Sequence, residues 1–312
     1  MKVVYFGSGA FGLPTLESVA SRRELRAIVT QPDRPAGRSR KSAPTPVGLW
    51  ASEHAPGVPI FKPQDVNDPG FVRELRENAA DAWIVIAYGQ KLGRELLRDR
   101  FAINLHASLL PRWRGAAPIN HAILAGDART GNSVITLADR MDAGLILGQS
   151  SRPIDPSQTA GELHDALAAD GPALVERVLR EHETGALTPR AQDESLVTIA
   201  GKLSKRDGWV DFTEPARACR RRIHGLNPWP GVAATLGGAT VKLRRVQPDA
   251  AESDQLPGTI LDPVHGIVAC GGATALRLVM VQPAGGRAMP WPDFARGRPV
   301  ARGDRIESDK PC

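Results

Sequence analysis

Residues Ala102 to Gly148 read A-I-N-L-H-A-S-L-L-P-R-W-R-G-A-A-P-I-N-H-A-I-L-A-G-D-A-R-T-G-N-S-V-I-T-L-A-D-R-M-D-A-G-L-I-L-G. The stretch begins inside an apolar run, Phe101 to Leu105, long enough for one buried strand. Side chains two apart on a strand share a face, so Asn104 and His106 point the same way. Pro111 and Gly115 punctuate a turn-rich segment, and Ala116 to Ala125 reads as a helix closed by Gly126. Asn132 to Ala138 reads as a second strand, with Val134, Thr136 and Ala138 alternating against Ile135 and Leu137. A polar turn then ends at Asp142. An amide, an imidazole and a carboxylate therefore fall at or just beyond strand ends, the edge where open α/β sheets bind ligands.

Each of these groups has a task in acyl transfer to an amine. An amide can donate to a developing oxyanion, which typically contributes about 3 kcal/mol. An imidazole can take a proton from the attacking amine, for a factor of roughly 10² to 10⁴. A carboxylate can orient the imidazole and stabilise its cation. The residues alone also fit a plainer account, in which His106 is a hydrogen-bonded core histidine and Asp142 a turn former. Asn-x-His is a very short motif, and no spacing rule fixes the distance from His106 to Asp142.

Outward from this stretch, strands and helices alternate. Lys2 to Phe6 reads as a buried strand, Leu13 to Ser21 as a helix and Leu25 to Thr30 as a strand. Val58 to Phe61 follows as a short strand, and Asp68 caps a helix that opens on Pro69 and runs to Asn78. Ala82 to Ala87, A-W-I-V-I-A, is the continuous apolar run of a central parallel strand. Leu145 to Ile154 reads as a strand pair or hairpin. Thr159-x-x-Glu162 is a capping box for a helix ending near Glu183. The pattern predicts an α/β fold with a doubly wound, mostly parallel, Rossmann-like sheet. Past Val232 it changes to short strands with glycine turns: Val232–Leu236, Ala239–Val246, Gly258–Leu261, Gly266–Ala269 and Ala275–Val281. These predict a small C-terminal β-barrel of OB type. Asn227-Pro228-Trp229-Pro230-Gly231 before it reads as a rigid, aromatic-plugged turn. The expected organisation is a catalytic domain over 1–187, a linker over 188–207 and a C-terminal domain over 208–312.

Gly7, Gly9 and Gly12 satisfy G-x-G-x-x-G between a strand and a helix, which raises a nicotinamide-dependent oxidoreductase as a remote alternative. That fingerprint also needs an acid at the end of the second strand, and Thr30-Gln31-Pro32 supplies none. A tight strand-to-helix turn is the preferred role.

Three widely separated cysteines (Cys219, Cys270, Cys312) with no C-x-x-C argue against a disulfide framework or a zinc site, and favour a reducing cytoplasm. No apolar run approaches the ~20 residues of a membrane span, and Met1 to Gly7 reads as a core strand rather than a leader. The net charge of +6 is uneven. Residues 1–200 hold 23 Lys and Arg against 23 Asp and Glu, and residues 201–312 hold 17 against 11. A basic lobe beside a neutral one fits a polyanionic partner or simply a basic surface. Gln31 to Val47 adds a second basic segment, with Arg34, Arg38, Arg40 and Lys41 and no acid after Asp33. Its four prolines and a glycine argue against regular structure there.

N-L-H-A-S-L-L-P-R-W-R-G-A-A-P-I with the later D-A-G resembles the 10-formyltetrahydrofolate-dependent formyltransferase family. The resemblance covers nearly the full length. It implies a catalytic triad of Asn104, His106 and Asp142, and folate contacts from Ser108, Leu109, Leu110 and Pro111 and from Tyr88 and Gly89. Q-P-D-R-P-A-G-R is similar to an insertion in the branch of the family that formylates methionyl initiator tRNA for translation initiation. That likeness implies tRNA contacts from Arg34, Arg38, Arg40 and Lys41, and the K-L-S-K segment adds Lys202 and Lys205. It further implies 10-formyltetrahydrofolate as formyl-donor co-substrate, no metal and a monomeric, cytoplasmic enzyme. A sister enzyme acting on another amine, such as an amino sugar, would share the triad but not need the basic loop. A tRNA-binding module without activity would explain the basic lobe but not the triad.

Overall fold

β1 (Lys2–Gly7) is buried from Val3 onward, as a strand covered on both faces requires. In a computed structural model, which describes residues 1–36 and 41–308, the chain continues through α1 (Leu13–Arg22), β2 (Glu24–Val29), β3 (Arg34–Ala36) and β4 (Lys41–Ala43). Then come α2 (Pro46–His54), β5 (Ile60–Phe61), α3 (Pro69–Glu77), β6 (Ala82–Ile86), α4 (Arg94–Leu97) and β7 (Phe101–His106). α5 (Pro118–Ala125), β8 (Arg129–Thr136), β9 (Ile146–Pro153) and α6 (Ala160–Glu183) follow. Two compact units result. The first comprises Met1–Arg114, Gly131–Arg152 and His164–Ile199; the second comprises Gly115–Thr130, Pro153–Leu163 and Ala200–Cys312.

In the first unit a seven-stranded sheet runs β9-β8-β7-β6-β1-β2-β5. β5, β2, β1, β6 and β7 are parallel neighbours, and β8 is antiparallel to β7 with Ser133 opposite His106. Strand order reverses between β1 and β6, the switch point of a doubly wound sheet. Val4, Phe6, Val29, Trp83 and Val85 form one core with Val72 and Leu75 of α3 and Leu96 of α4. On the other face α6 presses close: a Cβ on Gly171 would lie 2.9 Å from Leu105 and 2.8 Å from Thr15 of α1.

The helix ends follow their sequence signals. The Asp68 carboxylate accepts from Gly70 N (2.9 Å) and Phe71 N (3.0 Å). Thr159 and Glu162 form the reciprocal capping box (2.9 and 3.3 Å). Gly126, at φ 76°, closes α5 in the left-handed region.

Two expectations for this unit are corrected. The basic segment after β2 is not wholly irregular, because Arg34–Ala36 pairs antiparallel with Lys41–Ala43. A two-stranded ribbon tolerates Pro35 because each strand is an edge, and Pro46 is welcome in the first turn of α2 above its Thr45 cap. Leu145 to Ile154 forms one strand beside β8, not a pair of its own.

The second unit contains α7 (Ala216–Gly225), β10 (Val232–Leu236), β11 (Ala239–Asp249), β12 (Ile260–Asp262) and β13 (Ile267–Cys270). β14 (Thr274–Pro283), β15 (Met289–Pro290), α8 (Trp291–Arg296) and β16 (Ile306–Glu307) complete it. The sheet order is β12-β13-β14-β11-β10-β16, antiparallel and curled into an OB-like half-barrel. Register shifts flanking Arg245 in the β11–β14 ladder supply local curvature. Trp229 does not plug the turn before the barrel, since it is 50% exposed. Trp291 is fully buried instead, and its indole N–H donates to Pro263 O (2.8 Å).

His224 of α7 is buried in this unit, and its Nε2 accepts from Val246 N (3.1 Å). Desolvation, then the nearby Arg245 and Arg220 charges, push its pKa down to about 4 from 6.5. The folded chain therefore refuses a proton that the unfolded chain accepts below pH 6.5. This contribution to stability is complete above that pH and is lost as pH falls towards about 4. At about pH 5 the loss should be on the order of 2 kcal/mol. His224→Gln keeps an acceptor for Val246, and thermal melts at about pH 7 and about pH 5 should show a smaller acid-induced drop than in the parent.

Candidate active site

Three loops meet at the exits of the central strands. Ser8 and Gly9 both donate backbone N–H groups to Ala87 O (3.2 and 3.3 Å), and Ser8 Oγ donates to Tyr88 O (3.0 Å). The amides after β1 that a dinucleotide's phosphates would need are thus already committed. Gly7 and Gly12 are small for a local reason. A Cβ there would come within 2.5 Å and 2.1 Å of the Tyr5 side chain. The glycine motif is a packing device, as preferred from the missing acid.

β7 delivers the histidine. His106 Nδ1 lies 3.6 Å from Asp142 Oδ2, and the two side chains are 7% and 13% exposed. His106 Nε2 meets the Trp113 carbonyl at 2.8 Å, and because a carbonyl only accepts, that nitrogen carries the proton. Asn104 stands two residues earlier, partly exposed, and its amide forms no hydrogen bond with any described residue. Asp142 adopts φ 53°, a region costly for an L residue, in the turn after β8. Gly144 completes that turn where no side chain fits, since a Cβ would come 1.7 Å from Thr136 O. The structure thus brings His106 and Asp142 together and leaves Asn104 uncommitted nearby on the same strand.

The Ser108–Pro111 turn is held from beneath. Ser133 Oγ donates to Ser108 O (2.7 Å) and accepts from Leu110 N (3.0 Å). Gln149 Nε2 donates to both Leu110 O (3.0 Å) and Ser133 Oγ (2.8 Å). The Ser108 hydroxyl, fully buried, donates to Arg112 O (2.6 Å), so its side chain fixes the turn. Leu110 is buried, while Leu109 and Pro111 are half-buried. Tyr88 is 2% exposed and packs edge-on against Phe6 at 5.7 Å, so it presents backbone rather than ring; Gly89 beside it is exposed at φ 93°.

Residues after α6, in the stretch expected as a linker, also reach this site. Gln192 Nε2 donates to Asp142 O (2.7 Å) and Gly144 O (2.8 Å), and Gln192 Oε1 accepts from Arg114 Nε (3.0 Å) and Nη2 (2.8 Å). Glu194 pairs with Arg114 (2.9 Å) and Arg140 (2.5 Å), and hydrogen bonds from these guanidinium groups hold its carboxyl below the usual range. Thr198 accepts from Trp113 N through Oγ1 (2.9 Å) and from Arg114 N through its carbonyl (2.9 Å). No motif in the sequence marks Gln192, Thr198, Ser133 or Gln149. Their partners lie 16 to 85 residues away.

Among the basic candidates, Arg34 is exposed and donates to Gln31 Oε1 (3.2 Å). The Lys41 backbone lies in β4, and Arg38 and Arg40 lie outside the described residues. In the second unit Lys202 and Lys205 are exposed and form no ion pair with any described residue. Buried Leu203 anchors the segment between them, and a Ser204–Asp207 capping box fixes the turn that carries Lys205. No group of three His, Cys, Asp or Glu side chains suited to a metal occurs among the described residues, and no described helix is long and apolar enough to cross a membrane.

Residues 1–179 match the family described as "Formyl transferase", and residues 202–299 match "Formyl transferase, C-terminal domain". The chain is 41% identical to the methionyl-tRNA formyltransferase of Thiobacillus denitrificans, over 98% of this chain and 99% of that protein. It is also 41% identical to the enzyme of the same name from Methylococcus capsulatus, over 96% and 98%. Among solved structures, the fold is shared with HypX from Aquifex aeolicus in complex with tetrahydrofolic acid (TM-score 0.60, 16% identity, 94% of this chain and 46% of that one). It is shared also with WlaRD, a sugar 3N-formyl transferase (TM-score 0.65, 12% identity, 91% and 97%). Both family matches and the identity sustained along nearly the whole length establish that the chain belongs to the formyltransferase family, among the methionyl-tRNA formyltransferases.

Proposed function

We propose that this protein transfers the formyl group of 10-formyltetrahydrofolate to the α-amino group of methionyl initiator tRNA, as a cytoplasmic monomer. The observation that carries the reading is the pairing of His106 with Asp142 beside the uncommitted amide of Asn104, in a chain so close to its named relatives. The amine nitrogen attacks the formyl carbon. Asn104 donates to the oxyanion that forms. His106 takes a proton from the amine and returns it to N10 of the folate as the carbon–N10 bond breaks. Asp142 orients the imidazole and supports its charge. This step needs Nδ1–H turned to Asp142 and a lone pair on Nε2, so the ring exchanges its bond to the Trp113 carbonyl for one to the incoming amine. The folate is assigned to the Ser108–Pro111 turn and the backbone of Tyr88 and Gly89. The tRNA is assigned to Arg34, Arg38, Arg40, Lys41, Lys202 and Lys205.

A transfer assay with 10-formyltetrahydrofolate and charged initiator tRNA tests the reaction. His106→Ala should lower kcat by roughly 10² to 10⁴ and Asn104→Ala by roughly 10² to 10³, with folate binding little changed. Turnover of the formyl donor by wild type only with a small amine or water would remove the tRNA from the assignment and leave the folate site. Neutralising Lys202 and Lys205 to Gln should raise KM for tRNA and leave kcat intact. It should also flatten the salt dependence of KM by about 0.7 to 0.9 log units per log unit of salt for each phosphate no longer neutralised. Equal salt slopes in the variant and wild type would exclude these lysines from the interface.

A further inference from the structure

We infer that Gln192 is a positioning residue for the reaction, an amide clamp that holds the Asp142 turn so that its carboxylate meets His106. The inference rests on the proposed function. Asp142 sits at φ 53°, a left-handed conformation that Asp tolerates better than most L residues but still at some cost, so bonds to the turn help to hold it. Gln192 holds it from one side by donating to the carbonyls of Asp142 and Gly144, which bracket Ala143. Thr136 closes the other side, where its carbonyl leaves Gly144 no room for a side chain.

The orientation of the clamp is itself fixed. The Arg114 guanidinium can only donate, so the oxygen of the Gln192 amide must face it and the nitrogen must face the two carbonyls. Arg114 is buried and follows Trp113, whose carbonyl receives His106 Nε2. Thr198, six residues beyond Gln192, binds the backbone N–H of both Trp113 and Arg114. One short segment therefore secures both groups that flank the imidazole: Asp142 on the Nδ1 side and the Trp113 carbonyl on the Nε2 side.

Gln192→Glu separates positioning from bulk stability. It keeps an acceptor for Arg114 but replaces the donor to the Asp142 turn with an oxygen facing two carbonyl oxygens. The expected result is a fall in kcat of about 10- to 100-fold, KM for folate and tRNA within about twofold of wild type, and a thermal midpoint near the parent's. In an Asp142→Asn background the same change should cost less than about threefold, because it acts through a carboxylate no longer there. Gln192→Met, of similar length and with no donor, provides the measurement should the glutamate variant fail to fold. Wild-type kcat in either folded variant, or full multiplicative loss on top of Asp142→Asn, overturns the inference. His106→Ala, run alongside, keeps the two failures apart. An active His106→Ala enzyme overturns the proposed function and this inference together; an inactive one beside fully active Gln192 variants overturns the inference alone.

Discussion

Side chains of a strand alternate between two faces, and in Phe101–His106 that constraint decides the rest. Leu105 goes against α6, closely enough that a Cβ on Gly171 would come 2.9 Å from it, while Asn104 and His106 go to the opposite face. The antiparallel partner sets Ser133 opposite His106, and Ser133 in turn fixes the Ser108–Leu110 backbone. A slip of one residue in β7 would bury the amide and imidazole against the helix and turn leucine to the site. Burial of Leu105 thus aims the Asn104 and His106 side chains as well as contributing to the core.

Most polar groups around His106 are engaged in holding backbone. Ser108, Ser133, Gln149, Gln192 and Thr198 each bond to main-chain carbonyls or amides of the site loops. Such loops have little regular structure, so their geometry has to be specified one hydrogen bond at a time. The Asn104 amide is the exception. It forms no bond to a described residue, which suits a donor whose partner develops only as substrate reacts.

Much of this architecture was legible in the sequence where the signal is local. The all-apolar β6, the Asp68–Pro69 cap, the Thr159–Glu162 box and the five barrel strands each follow from side chains within a few positions. The Asn104–His106 pair could be placed on one face by period alone, whereas Asp142 was joined to it only by family likeness. Arg34–Ala36 and Lys41–Ala43 were hidden because proline forbids a central strand but not a ribbon edge. Trp229 and Trp291 could not be ranked beforehand. Which of them is buried depends on packing with residues remote in sequence, and Pro263, the acceptor of the Trp291 indole N–H, is 28 residues away. Gln192 was illegible for the same reason, since nothing near it in the chain announces Asp142 or Arg114.

The second unit is assembled from three stretches of chain, and α5 is one of the two short ones, arriving from the middle of the sequence. Asn120 Nδ2 binds Gly225 O at 2.7 Å, and Leu124 approaches so closely that a methyl on Gly225 would lie 2.9 Å from it. The C-terminal half-barrel is therefore no detachable cassette. Recombination that exchanged only the sequence after residue 200 would bring a foreign α7 against a resident α5, and any side chain at the Gly225 position would require Leu124 to move. Exchange of this lobe is thereby tied to a helix encoded between Asn104 and Asp142, far from the rest of the lobe in sequence.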